Sequence, residues 1–202
     1  MKQANKSGQL AAYVEQRIDR ILSMPEGGPQ RALLAELRRG VGKAPGELPA
    51  LWGILLEDFP EEWMSDRGGA SREEWAAYIA LTLFALHQQS RNTRSLPMQR
   101  RGQTLGRALR RMAGEDTDAQ ERILRRFRQL SSSADIRGAA YHLRGLVQLL
   151  RAADIPMDYA ALARDLYQYQ FPEGAADVRL RWAQDFFRMT KDEQTTGKDG
   201  EQ

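Results

Sequence analysis

The sequence predicts an all-α protein, built either as a single compact helical domain of about eight or nine helices or as two joined helical halves. Apolar residues recur every three or four positions through most of the 202-residue chain, which is the spacing of one face of a helix. No stretch of useful length alternates apolar and polar residues as a half-buried strand does. With 42% apolar residues, the chain can also build a core of its own.

The first half of the chain is predicted to contain four helices after a polar, disordered tail at residues 1–8. Ser71 and Glu74 have the spacing of a capping box, in which each side chain hydrogen-bonds the other residue's backbone at a helix start. The helix that they open, to about residue 89, is apolar almost all round, as expected of a central buried helix. The other three are expected at 9–24, 30–39 and 52–57, separated by Gly- and Pro-rich breaks.

The second half is predicted to contain five more helices after a basic loop at 91–103. Thr117 with Gln120, and Asp158, are candidate caps for two of them. A polar, disordered tail is expected at 191–202, so the folded domain spans 9–190. The five helices are expected at 104–113, 118–131, 135–153, 158–169 and 175–190.

Residues suited to catalysis or metal binding are sparse. The chain has no cysteine and only two histidines, His87 and His142, which are not paired at a metal-ligand spacing. Each histidine is expected to sit on a helix face and make a local hydrogen bond. Carboxylate pairs stand at helix starts, where they favour the helix dipole. We therefore expect no enzyme activity, no metal and no cofactor.

A short Gly-rich turn invites comparison with a phosphate-binding loop. Gly42 and Lys43 match its end, but the loop requires a glycine five positions before Gly42, and Leu37 stands there. Ala44 replaces the Ser or Thr that should follow the lysine. The nucleotide-binding interpretation fails, although Lys43 remains a candidate contact for a backbone phosphate.

No membrane or export segment is expected. The N-terminal residues MKQANKSGQL lack the apolar core of a signal peptide. The longest apolar run, 76–86, is about half of the ~20 residues that a membrane-spanning helix needs. The sequence predicts a soluble, cytoplasmic protein with no membrane partner.

Positive charge is concentrated in the middle of the chain. The net charge is only +3, yet residues 91–151 carry fourteen arginines, no lysine and five acidic residues. The flanking segments are slightly acidic. A basic block in an otherwise acidic chain is typical of a surface that meets a polyanion.

The arginines of this block are predicted to lie on the outer faces of amphipathic helices. On a helical wheel they fall opposite or beside the apolar stripes, and the acids that usually alternate with them are missing. Tyr141 and Gln148 border one line of arginines, where they could stack on or hydrogen-bond to a base. The residues concerned are Arg107, Arg110, Arg111, Arg122, Arg125, Arg126, Arg137, Arg144 and Arg151, with Arg100 and Arg101 in the loop before them.

Three partners could explain such a face: nucleic acid, an acidic protein surface, or water alone. Unpaired like charges destabilise a helix, so an anionic partner explains the bias better than solvation does. A helix-turn-helix transcriptional regulator is the alternative nucleic-acid-binding function. Against it, no recognition helix stands out by polar base-reading residues such as Asn or Gln near its start. A helical adaptor for acidic proteins is the other alternative.

Seven segments, taken together and in order, resemble the CasB family, the small subunit of the type I-E CRISPR Cascade complex. The resemblance spans roughly residues 10–190. The segments are LRRGVGKAPGELPALW (37–52), AAYIALTLFALHQQS (76–90), TLGRALRRM (104–112), RILRRFRQL (122–130), YHLRGLVQLL (141–150), PMDYAALARDLYQYQ (156–170) and VRLRWAQDFFR (178–188).

The resemblance implies a non-catalytic, dimerising helical subunit of a crRNA-guided complex. Its partners would be the crRNA, the target and displaced DNA strands, the repeated backbone subunits and the large subunit CasA. Its basic surface would hold the guide–target heteroduplex and the displaced strand. By position, the resemblance adds Arg38, Arg39, Lys43 and Arg72 to the candidate nucleic-acid contacts and supports Arg107.

Overall fold

The fold is a bundle of helices in which one buried helix is surrounded by the others. The structure is a computed structural model that describes residues 2–188. For residues 2–4 it describes the backbone only. Within that range nine α-helices form, together with two short 3-10 helices, Pro49–Leu51 and Glu61–Trp63. The α-helices are α1 (Lys2–Ser23), α2 (Gly28–Arg39), α3 (Trp52–Leu56), α4 (Arg72–His87), α5 (Leu105–Ala113), α6 (Thr117–Ser131), α7 (Ile136–Ala152), α8 (Tyr159–Tyr169) and α9 (Pro172–Phe187). The predicted all-α, single-domain fold is confirmed.

The central helix is α4, as the sequence predicts. Ser71 and Glu74 form the expected capping box: the Ser71 Oγ accepts from the Glu74 N–H, and the Glu74 carboxylate accepts from the Ser71 N–H. Every residue from 76 to 87 is buried, because α1, α2, α7 and α8 pack around the helix. Burial on all sides explains why this helix is apolar on all sides.

A second group of helices, α5, α6 and α9, extends this core. Phe127 of α6 lies against Trp182 and Phe186 of α9, with ring centroids 6.3 and 6.2 Å apart. Gly106 of α5 lies directly against the backbone of α9 at Trp182, where a Cβ would collide with it. The glycine therefore sets the close approach of α5 to α9.

Several helix boundaries differ from the sequence prediction. Helix α1 begins at Lys2, so residues 2–8, predicted to be a disordered tail, are helical. Lys6 forms a 2.7 Å ion pair with Glu73 of α4, and Ser7 is buried. The N-cap of α6 is Asp116, whose carboxylate accepts from two backbone N–H groups, and not Thr117. The last helix, predicted at 175–190, instead runs from Pro172 to Phe187, and the predicted tail at 191–202 lies outside the described residues.

None of the helices in the range 2–188 is both long enough and apolar enough to cross a membrane.

Candidate nucleic-acid interface

The turn after α2 is held against the core by a close approach at Gly40. The Tyr78 hydroxyl of α4 donates a 2.9 Å hydrogen bond to the Gly40 carbonyl. A Cβ at residue 40 would lie 2.7 to 2.9 Å from Tyr78, Leu51 and Thr82, so any other residue would force these side chains to shift. The turn then continues through Gly42, whose φ is +85°, a conformation that favours glycine.

This anchored turn lies beside α7. A Cβ at Gly42 would lie 3.8 Å from the Arg144 Nη1, so the guanidinium of Arg144 passes directly over the turn. Lys43, Arg137, Tyr141 and Arg144 line one depression here, with Trp75 of α4 at its wall. We name it the α4–α7 depression.

A second depression, of about 530 Å³, adjoins the first between α6 and α7. Arg126 and Gln129 of α6 line one side, and Arg144 and Gln148 of α7 line the other. The Arg126 guanidinium reaches α7 at Gly145, where a Cβ would lie 4.0 Å from its Nη1. We name it the α6–α7 depression. Tyr141 and Arg144 line both depressions, so the two are continuous.

The line of arginines continues toward the C-terminal end of α7. Arg151 lies near Arg38 of α2, whose pKa is lowered by burial and by the positive charge of Arg151. The Arg151 Nη1 donates a 2.6 Å hydrogen bond to the Gln89 Oε1, which fixes its orientation without neutralising it. Six cations therefore follow the α2, α6 and α7 surface, and we call them the basic face: Arg38, Lys43, Arg126, Arg137, Arg144 and Arg151.

The cations of the basic face form no ion pair with a carboxylate in the described part of the chain. Within residues 5–188, none of its six side chains lies within 4 Å of a carboxylate oxygen. Glu47 borders the α4–α7 depression, but its carboxylate accepts a 2.7 Å hydrogen bond from the Ala44 N–H. Arg137 packs on the Trp75 ring, 5.2 Å from its centroid. This surface can neutralise the phosphates of a polyanion.

Several other arginines of the predicted site are already paired with carboxylates. Arg101 contacts Glu15 at 2.6 Å, and Arg107 lies 3.7 Å from Asp185. Arg39 pairs with Glu36, and Arg122 lies 3.9 Å from Asp116. The acids that are missing from the middle of the sequence are thus supplied in part by α1 and α9. Such exposed pairs are weak, but they distinguish these arginines from the basic face.

The remaining predicted contacts lie away from the two depressions. Arg72 packs over the Phe171 ring at 4.3 Å. Neither depression is lined by Arg100, Arg110, Arg111 or Arg125. Four of the fifteen predicted residues therefore line the two depressions: Lys43, Arg126, Arg137 and Arg144. Arg38 and Arg151 extend the basic face beyond them, and the other nine lie outside it.

Two residues of this surface are absent from the sequence prediction. Arg31 lines a depression with Arg38, and the seven-residue spacing of the two on α2 is the signal that could have identified it. Trp75 belongs to α4, whose all-round apolar pattern predicts buried side chains, yet it is half-buried and forms a wall of the α4–α7 depression.

The two histidines lie in different environments. His87 is buried in the core, where its Nδ1 lies 2.9 Å from the Tyr159 hydroxyl. Burial lowers its pKa to about 4, so the ring is neutral at physiological pH. His142 is half-buried on α7, with its ring edge-on to Tyr141 at 5.3 Å. Among the described side chains, no three His, Asp or Glu residues are grouped closely enough to hold a metal ion.

Comparison with known proteins gives consistent matches. Residues 33–187 match the family model of the CRISPR-associated protein Cse2. CasB from Thermobifida fusca is 36% identical, with a TM-score of 0.72 that covers 89% of this chain and 98% of that one. M. ruber CasB is 27% identical, with a TM-score of 0.62 that covers 91% and 97% of the two chains.

A chain from a solved CRISPR RNA-guided surveillance complex shares the fold. It is 24% identical, with a TM-score of 0.65 that covers 96% of this chain and 99% of that one. Among curated proteins, no sequence matches significantly.

Proposed function

Because this chain belongs to the Cse2 family of CRISPR-associated proteins, we propose that it is a non-catalytic subunit of a crRNA-guided surveillance complex. The likeness to a chain of such a complex, over nearly the full length of both, supports this proposal. In that setting its partners are the crRNA, the target and displaced DNA strands, the backbone subunits, the large subunit CasA and a second copy of itself, in the cytoplasm.

Within the complex, the basic face binds nucleic-acid backbones without reading their sequence. The observation that carries this proposal is the cluster of six cations, none with a carboxylate within 4 Å in the described part of the chain. Arginine and lysine contacts to phosphate fix position and carry no base information. Exchange of a DNA duplex for an RNA–DNA hybrid is nearly balanced in free energy, so protein–backbone contacts can decide whether the duplex stays open.

The test is a reconstituted complex in which the basic face is neutralised by Lys43→Gln, Arg126→Gln and Arg144→Gln together. Permanganate reactivity of the displaced strand measures how long the target duplex remains open. We expect normal assembly and initial target recognition but a shorter-lived open state. The defect should be greater on relaxed than on negatively supercoiled DNA, because supercoiling supplies the missing free energy.

The matched control is the pair Arg101→Gln and Arg107→Gln, which removes cations that already have carboxylate partners. This complex should open relaxed DNA as the wild type does. Equal strand opening by the wild type and the triple variant on relaxed DNA would contradict the proposal. Loss of the triple variant from the complex would show instead that the face binds a neighbouring protein subunit.

A further inference from the structure

We propose that Tyr141 is a stacking platform for an unpaired base, so that the basic face prefers a single strand to a duplex. The inference rests on the proposed function and names the form of nucleic acid that the face holds. In an opened target duplex, the strand with unpaired bases is the displaced strand.

The exposure of Tyr141 is unusual for this protein. Its side chain is 74% exposed, more than any other large apolar or aromatic residue in the described part of the chain. The other tyrosines, at positions 13, 78, 159, 167 and 169, are all buried. The fold therefore gains little from this ring, and tyrosine is a residue type that is enriched at interfaces.

The position of Tyr141 within the basic face also favours a role in binding. It lies where the α4–α7 and α6–α7 depressions meet, so cations flank it on both sides. Arg137 and Lys43 line the first depression, and Arg126 lines the second. His142 lies edge-on to the Tyr141 ring, with an interplanar angle of 80°.

A cationic groove interrupted by an exposed aromatic ring is the usual arrangement for binding single strands. The cations follow the phosphates, and the ring stacks on a base, whatever its identity, because every base has a π-face. In a duplex the bases already stack on each other, so an intact duplex can use the cations but not the ring. The amides of Gln129 and Gln148 in the α6–α7 depression add hydrogen-bonding groups without charge.

The experiment compares the full-length wild-type protein with Tyr141→Ala, Tyr141→Phe and Arg144→Gln. The affinity of each protein is measured for three ligands. They are a single-stranded oligodeoxynucleotide that contains 2-aminopurine, the same sequence as a duplex, and the same single strand with abasic sites. Tyr141→Ala should weaken single-strand binding about 5- to 150-fold, the range for loss of one stacked base. Binding of the duplex and of the abasic strand should be unchanged. Tyr141→Phe, which keeps the ring, should retain both the affinity and the quenching of 2-aminopurine.

Arg144→Gln separates the stacking proposal from the proposed function. Loss of a phosphate contact should weaken binding of all three ligands alike. If wild type and Tyr141→Ala bind the single strand equally while Arg144→Gln weakens every ligand, the stacking proposal is wrong and the proposed function stands. If the wild type binds none of the three ligands at low salt, both are wrong.

Discussion

Arg38 of α2 lies near Arg151 of α7, and burial, together with the positive charge of Arg151, lowers the pKa of Arg38. Two like charges held together in a folded protein oppose folding unless an anion offsets them. Neither has a carboxylate partner within 4 Å in the described residues. The arrangement is best explained by a ligand that carries the missing negative charge.

Neutralising the basic face should not destabilise the fold. Arg38→Gln removes a repulsion, and Arg126→Gln removes an exposed cation that makes no ion pair in the described range. Each variant should have a free energy of unfolding within about 0.5 kcal/mol of the wild type, or slightly higher. Urea denaturation measures this directly. A loss well above 1 kcal/mol would show that these side chains support the core.

A buried carboxylate at the α8–α9 contact should matter far more. Asp165 is 2% exposed and accepts a 2.7 Å hydrogen bond from the Trp182 Nε1 and one of 2.9 Å from Arg181. Asp165→Ala leaves the buried Trp182 N–H unpaired and removes the carboxylate partner of Arg181, and it should cost about 3 kcal/mol in the free energy of unfolding. The control, Glu36→Ala, breaks the exposed pair with Arg39 and should cost less than about 1 kcal/mol. Comparable losses in the two variants would refute this account of Asp165.

The contact of α5 with α9 should not tolerate a methyl group at Gly106. A Cβ there would collide with the Trp182 carbonyl and would lie 2.9 Å from the Phe186 nitrogen. Because these are backbone atoms, the helices must move apart, and Gly106→Ala should cost about 1–3 kcal/mol. In α1, a Cβ at Gly8 would have no neighbouring atom within 4 Å. Gly8→Ala should therefore raise the free energy of unfolding by about 0.5–1 kcal/mol, because alanine is the better helix former. Thermal melts that rank the two variants in the reverse order would contradict the packing.

The core histidine should make the fold sensitive to acid. The pKa of His87 is about 4 in the folded protein, against 6.5 when it is exposed, so the unfolded chain binds its proton first. Stability should therefore fall as the pH is lowered from about 6.5 toward 4, by up to about 3 kcal/mol from this group. Below about pH 4 the histidine makes no further contribution.

His87→Gln isolates this effect from the titration of carboxylates in the same pH range. The variant should lose less stability than the wild type between pH 6.5 and 4, whatever its stability at neutral pH. Chemical denaturation at several pH values gives the difference. An identical pH dependence in both proteins would mean that His87 is not the titrating group.

Local sequence signals were sufficient to predict an element when its structure depends only on its own residues. The central helix could be predicted because Ser71 and Glu74 cap it and because its apolar residues cover every side. The start of α1 could not, since residues 2–8 are polar and become part of the helix through contacts such as Lys6 with Glu73. An ion pair between residues 67 positions apart cannot be recognised from the local sequence pattern.

The candidate site, too, could be predicted from the sequence only in part. Helical periodicity correctly placed arginines on outer faces of α6 and α7, because that periodicity is a property of one helix. It could not separate Arg144, which makes no ion pair with a described carboxylate, from Arg107, which lies near Asp185 of α9. Which charges remain uncompensated depends on tertiary contacts, and Lys43 joins the face only because Gly40 anchors its turn against Tyr78.

The most direct test of the basic face is the salt dependence of binding by the full-length protein to a single-stranded oligonucleotide. Log affinity falls with log salt by about 0.7 for each phosphate that the protein neutralises. Arg126→Gln with Arg144→Gln should therefore reduce the slope by about 1.4. The pair Arg101→Gln and Arg107→Gln should leave the slope at its wild-type value, because those cations have carboxylate partners. Equal slopes for the wild type and the Arg126–Arg144 double variant would contradict the assignment of the basic face.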